Sequence, residues 1–155
     1  MDGRDRLENH LRENGVVFGV QEHPTAYTAQ KIAASEHVPG RMFAKVVMAI
    51  TEGDLIMLVL AASSVVDIAK VSEVLGKQAR LASEGEFASA FPDCEAGAMP
   101  PFGNLYDVPV YVDRALGRNE RIVFQAGTHN VTMSVAYADF ERLARPTVAD
   151  IAMTR

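Results

Sequence analysis

Three places in the sequence carry chemistry that their surroundings do not explain. The first is Lys45, the only charged residue in the run Met42 to Ile50. Apolar residues on both alternating faces mark that run as a strand covered on both sides. Lysine is rarely buried without a partner. Lys45 is therefore either an ammonium near a strand end that snorkels to water, or a partly buried cation that holds a phosphate or a developing oxyanion. The second place is Gly97-Ala98-Met99-Pro100-Pro101-Phe102-Gly103. Glycine permits close backbone approach and proline fixes loop shape. Such a loop either aims N–H groups at a carbonyl or ribose, or serves as a stiff connector over Phe102. The third is Gly127-Thr128-His129-Asn130, whose polar side chains either line a pocket or decorate a surface turn.

Other machinery is missing. Gly40-Arg41-Met42-Phe43-Ala44-Lys45 shares only its first glycine and its lysine with a phosphate loop. There is no GxSxG elbow to make a nucleophile of Ser63 or Ser64. The single cysteine, Cys94, excludes an internal disulfide and a thiolate-rich zinc site. Asp93 and Glu95 beside it disfavour the thiolate. His10, His23, His37 and His129 lack close metal-ligand spacing, so neither a metal nor a cofactor is expected. No aromatic-and-basic RNA-recognition motif is present.

The elements that must position these residues alternate in type, which points to α/β or α+β architecture. At 155 residues, 48% apolar and 23% charged, residues 1–155 read as one globular domain. Helices are expected over Arg4–Asn14, from Thr28 to Ser35, after Asp67 (Ile68, Val71, Leu75, stopped by Gly76), after Ser83 with Glu86 as a capping box, and over Ala138–Ala144. Strands are expected over Val16–Gln21, Met42–Ile50, Leu55–Leu60, Val108–Val112, Arg121–Gln125 and Val131–Val135, with a hairpin turn at Thr51-Glu52-Gly53-Asp54. His23-Pro24-Thr25-Ala26 reads as a turn, and the tail after Pro146 is expected to fray. The eight-residue apolar run Leu55–Ala62 is too short to span a bilayer. The charged start Met1–Arg6 is unlike a signal peptide. No membrane partner is expected, and one cysteine suits a reducing, cytoplasmic compartment. Fifteen basic against twenty acidic residues leave a net charge of −5, which argues against broad wrapping of nucleic acid. A grip on one nucleic-acid end is still compatible with it, and Lys31, Arg41, Lys45, Lys77 and Arg80 are candidates for a local cationic rim.

The order His23-Pro24, Val38-Pro39-Gly40, Ala44-Lys45-Val46-Val47, Gly97 to Gly103, Asp113, Gly127 and Asp139-Phe140 resembles the YbaK/EbsC family, the editing domains associated with prolyl-tRNA synthetase. The resemblance runs over roughly residues 5–145. It implies an α/β fold with a mixed, strongly curved β-sheet and packed helices. It also implies a stand-alone aminoacyl-tRNA deacylase, a hydrolase acting on a mischarged tRNA, with alanine or cysteine on the proline tRNA as the expected cargo. The tRNA acceptor end is the implied partner, an aminoacyl-tRNA synthetase a further one, and DNA is not. Lys45 matches the family's functional lysine, and Gly97 and Pro101 match the first glycine and the proline of its loop. Gly127 matches a glycine turn beside the pocket. Lys45 and Gly97 are thus the expected catalytic positions. His23, Tyr27, Ala98, Pro101, Gly103, Gly127 and His129 are expected to contact substrate, His129 without a clear family counterpart. Ala98 departs from members with a second glycine there.

An aminoacyl ester is already activated, so its hydrolysis needs positioning and charge stabilisation more than a strong nucleophile. Two alternatives to the deacylase stand beside it. One is a non-catalytic module of the same fold that binds a tRNA end or nucleotide. The other is a small-molecule esterase or amide hydrolase using the same pocket.

Overall fold

The computed structural model describes residues 2–23 and 28–154. Tyr27 and the expected turn beyond His23 lie outside the described residues. The organising element is an antiparallel hairpin of β2 (Ala44–Thr51) and β3 (Asp54–Ala61), paired from Ala44 opposite Ala61 to Thr51 opposite Asp54. Glu52 and Gly53 both take positive φ, 51° and 82°. That is what a two-residue turn needs to match strand twist.

The hairpin is the middle of a five-stranded sheet. β5 (Arg80–Leu81) pairs with β2, and β6 (Val110–Asp113) runs parallel to β3. β9 (Thr147–Ala149) runs parallel to β6 at the edge. A separate antiparallel sheet is ordered β1 (Gly19–Glu22), β8 (Val131–Ala136), β7 (Arg121–Gln125). The two sheets touch through a parallel bridge between Phe43 and Val123. β4 (Ser64–Val66) pairs with β10 (Ala152–Thr154). The mixed α/β class expected from sequence is present, with the strands among the described residues divided over three open sheets.

Among the described residues five helices pack around them: α1 (Gly3–Glu13), α2 (Ala29–Ser35), α3 (Ile68–Leu75), α4 (Glu84–Phe87) and α5 (Tyr137–Ala144). Their starts follow capping chemistry. Asp2 accepts from the Asp5 N–H, Thr28 from Lys31, and Asp67 from Ala69 and Lys70. Gly76 ends α3 in the left-handed region at φ 71°. The main core lies between the sheets, where Phe102 meets Phe124 and Phe140 edge-on at 5.6 and 5.7 Å.

The tail corrects an expectation. Residues 147–154 do not fray but supply β9 and β10. Ile151 is fully buried between them, and its N–H donates to Asp113 Oδ1 at 3.1 Å. A buried carboxylate with two backbone donors, Ile151 and Ala115, fixes this segment more firmly than its two short pairings suggest.

Candidate active site

The Gly97–Gly103 loop and the Gly127–Asn130 turn are stitched into one unit. The Glu95 N–H donates to Gly127 O at 2.8 Å, and the Gly127 N–H donates to Ala98 O at 2.9 Å. The His129 N–H donates to Glu95 Oε1 at 2.8 Å. His129 Nε2 lies 2.9 Å from Ala96 O. A carbonyl only accepts, so Nε2 carries the proton and donates. His129 is 8% exposed, and Gly127 is buried as well. The surface-turn alternative therefore gives way to an inward-facing turn.

Both glycines sit where a side chain would be strained. Gly97 has φ 84° and Gly127 φ 96°. A Cβ on Gly127 would stand 3.2 Å from the Arg4 backbone nitrogen, because the start of α1 is wedged against this turn. The Gly3 N–H donates to Asp93 O at 2.7 Å, and Arg6 Nε pairs with Asp93 Oδ2 at 2.7 Å. The Tyr106 hydroxyl donates to Asp93 Oδ1 at 2.8 Å. Burial pushes the Asp93 carboxyl up, but the hydrogen bonds from Arg6 and Tyr106 outweigh it and hold the group below its ordinary range. Cys94 is pushed up to about 11, first by burial and then by Asp93. It is a poor nucleophile, as its acidic neighbours suggested.

Within the loop the residues divide. Gly97 is exposed, whereas Ala98, Met99, Pro101, Phe102 and Gly103 are buried. The Ala98 N–H donates to Glu95 O at 3.0 Å, and Pro100 and Pro101 have no N–H to give. The Gly97 N–H meets only the Met99 thioether at 3.3 Å, a weak acceptor. The Met99 N–H has no acceptor among the described residues. Buried backbone donors are rarely left so. Gly103 is explained by packing, since a Cβ there would come within 2.7 Å of Val108 O. Ala98 is not a positive-φ position, so its methyl group costs the loop no backbone strain.

Lys45 sits on a different face. Ala44 and Met48 join the core cluster that holds Met99 and Phe102. Lys45 alternates with Val47 and Ala49, which pack toward α3. It is half-buried, and its ammonium donates to Ser64 O at 2.5 Å. His23 is tied to the turn through its N–H, which donates to Asn130 O at 3.0 Å. Its buried ring lies 3.4 Å from Glu36 Oε2, and Thr132 Oγ1 lies 2.8–2.9 Å from both Glu36 oxygens. The structure thus gathers Gly97, Ala98, Gly127, His129 and the His23 backbone, while Lys45 reaches the Ser64 carbonyl and Gly103 packs against Val108. Glu95 and Glu36 were not singled out by sequence. No spacing marks either: Glu95 meets His129 and Glu36 meets Thr132 across more than thirty residues.

The expected cationic rim also divides. Lys77 pairs with Glu52 at 3.4 Å, and Arg80 pairs with Glu86 at 2.6 Å. Both lie at the Thr51 end of β2, where Arg80 stands opposite Ile50. That end also holds a cavity of about 840 Å³ lined by Leu55, Ile56, Lys77, Glu86, Tyr106 and Tyr111. Among the described residues no group of three His, Cys, Asp or Glu could hold a metal, and no helix is long and apolar enough to cross a membrane.

Solved structures share this mixed α/β fold. One described as a candidate trans-editing enzyme for prolyl tRNA synthetase aligns with a TM-score of 0.86 at 20% identity, covering 99% of this chain and 98% of its own. The hypothetical protein APE2540 aligns with a TM-score of 0.86 at 19% identity, covering 96% and 99%. A candidate signal transduction protein from Marinobacter aquaeolei VT8 aligns at 0.76 and 14% identity, covering 96% of this chain and 30% of its own. No curated protein matches. The family model of the aminoacyl-tRNA editing domain matches residues 23–143, and the chain belongs to that family.

Proposed function

We propose that this protein acts in trans as a deacylase, hydrolysing the ester between a small, wrong amino acid and its tRNA, with alanine or cysteine on the proline tRNA as the cargo tested first. The observation that carries the reading is the loop of an editing-domain chain in which the Gly97 and Met99 N–H groups lack strong acceptors, beside the fixed His129 ring. Two such donors suit the oxygen of a tetrahedral intermediate. Water attacks the ester carbonyl carbon and the bond to the ribose oxygen breaks. The departing ribose oxygen takes a proton and becomes the hydroxyl, leaving free amino acid and uncharged tRNA. In the cysteine case the substrate's own thiol replaces water in the first attack. Lys45 holds the terminal nucleotide or its phosphate. His23, Tyr27, Ala98, Pro101, Gly103, Gly127 and His129 are the residues assigned to substrate contact, and the size of the pocket limits the amino acid accepted. Discrimination by one methylene in such a pocket amounts to only about 1–3 kcal/mol. Residues 1–155 serve as one working unit.

Single-turnover deacylation with a panel of charged tRNAs, alanyl- and cysteinyl-proline tRNA among them, tests this. Release of label from one mischarged species, lost in Lys45→Ala at unchanged Tm, is the expected result. Silence across the panel with retained binding of uncharged acceptor RNA would replace it with the non-catalytic binding module. Equal turnover of free aminoacyl esters would favour the small-molecule esterase.

A further inference from the structure

We infer that a second surface, next to Lys45 and outside the loop and turn, holds the phosphodiester backbone of the RNA whose end enters the site. This rests on the proposed deacylase reading. Ser64, whose carbonyl receives the Lys45 ammonium, also lines a cavity of about 240 Å³ with Asp113, Arg114, Arg118, Asp150 and Met153. Both arginines lie on the short 3-10 turn Arg114–Arg118 and are exposed. Neither has a carboxylate within ion-pair distance among the described residues.

The cavity's own carboxylates are already engaged. Asp113 is 5% exposed and accepts from the Ala115 and Ile151 N–H groups. Asp150 pairs with Lys70 at 3.1 Å. Arg41 continues the run: its carbonyl accepts from Asn119 Nδ2 at 2.8 Å, directly after Arg118, and it is exposed and without a carboxylate partner among the described residues. Guanidinium forks match phosphate oxygens. Three of them spread over exposed surface suit successive phosphates of a polyanion better than one enclosed anion. A chain with a net charge of −5 then binds RNA through a local group of arginines rather than through its overall charge.

The test is equilibrium binding of an uncharged proline-tRNA acceptor minihelix across a salt series, for the wild type, Arg114→Gln/Arg118→Gln and Lys77→Gln. The double variant is expected to bind on the order of tenfold more weakly, and to lower the salt slope by roughly 1 per arginine removed, at unchanged Tm. Lys77→Gln should match the wild type. Equal affinity and slope in the double variant would overturn the inference, as would wild-type binding of inorganic phosphate that the minihelix does not displace. Failure of the deacylase reading is separate: it shows as arginine-dependent RNA binding with no turnover on any charged tRNA. Turnover with unchanged KM in the double variant would leave the deacylase standing and remove the arginine surface.

Discussion

The two ends of the β2–β3 hairpin both carry cations and treat them differently. At the Thr51 end Lys77 and Arg80 each have a carboxylate, and the Arg80 fork holds Glu86 down to about 2. At the Lys45 end Arg41, Arg114 and Arg118 have none among the described residues. The larger cavity lies at the neutralised end. Cavity size and site chemistry therefore point to different places. The pairing of charges separates the two ends better than the space around them.

Substitutions can break or sharpen this contrast. The largest effect is expected from Lys45→Ala, which should lower single-turnover deacylation by about 100-fold or more. Lys77→Ala should leave it unchanged, and equal losses would erase the distinction. Next comes the glycine contrast. Gly127→Ala must adopt φ 96° and meet the Arg4 backbone, and should cost roughly 2–3 kcal/mol in chemical denaturation. Gly53→Ala at φ 82° meets open space and should cost about 1 kcal/mol. If the two cost the same, α1 does not press on the turn.

Asp93→Asn tests what holds α1 there. It should cost about 2 kcal/mol at neutral pH, since it breaks hydrogen bonds to a charged partner. The sign with pH follows from the lowered carboxyl. The stabilisation is present above the unfolded value of 3.8 and is lost as pH falls through the lower folded value. The gap between wild type and Asp93→Asn should therefore close on acidification, which thermal melts between pH 7 and pH 2 would show. A gap that widens toward acid would contradict the assignment. The smallest effect is expected at Arg80→Gln, where a surface pair should leave Tm unchanged within measurement.

The parts of the fold legible in sequence are those set by short range. The Glu52-Gly53 turn, the caps at Thr28 and Asp67 and the stop at Gly76 each depend on a few neighbouring residues, and each stands where expected. β9 and β10 escaped because three-residue pairings carry no period of their own, and because their anchor, Asp113, lies more than thirty residues earlier. The site follows the same rule. The glycines of loop and turn were visible, but their lock through Glu95 was not. The split of the cationic rim was equally hidden, since a sequence sums charges and does not show which of them cancel.

The cavity beside Ser64 is walled by residues near 64, 114–118 and 150–153, brought together from distant parts of the chain. In kinetic terms it is high-contact-order surface, whose loop-closure entropy must be overcome before its contacts form. The β2–β3 hairpin can close locally while that wall waits for β10 to dock on β4. During synthesis, a ribosome stalled before residue 150 would expose Lys45 on a formed hairpin with the neighbouring arginine wall still unassembled.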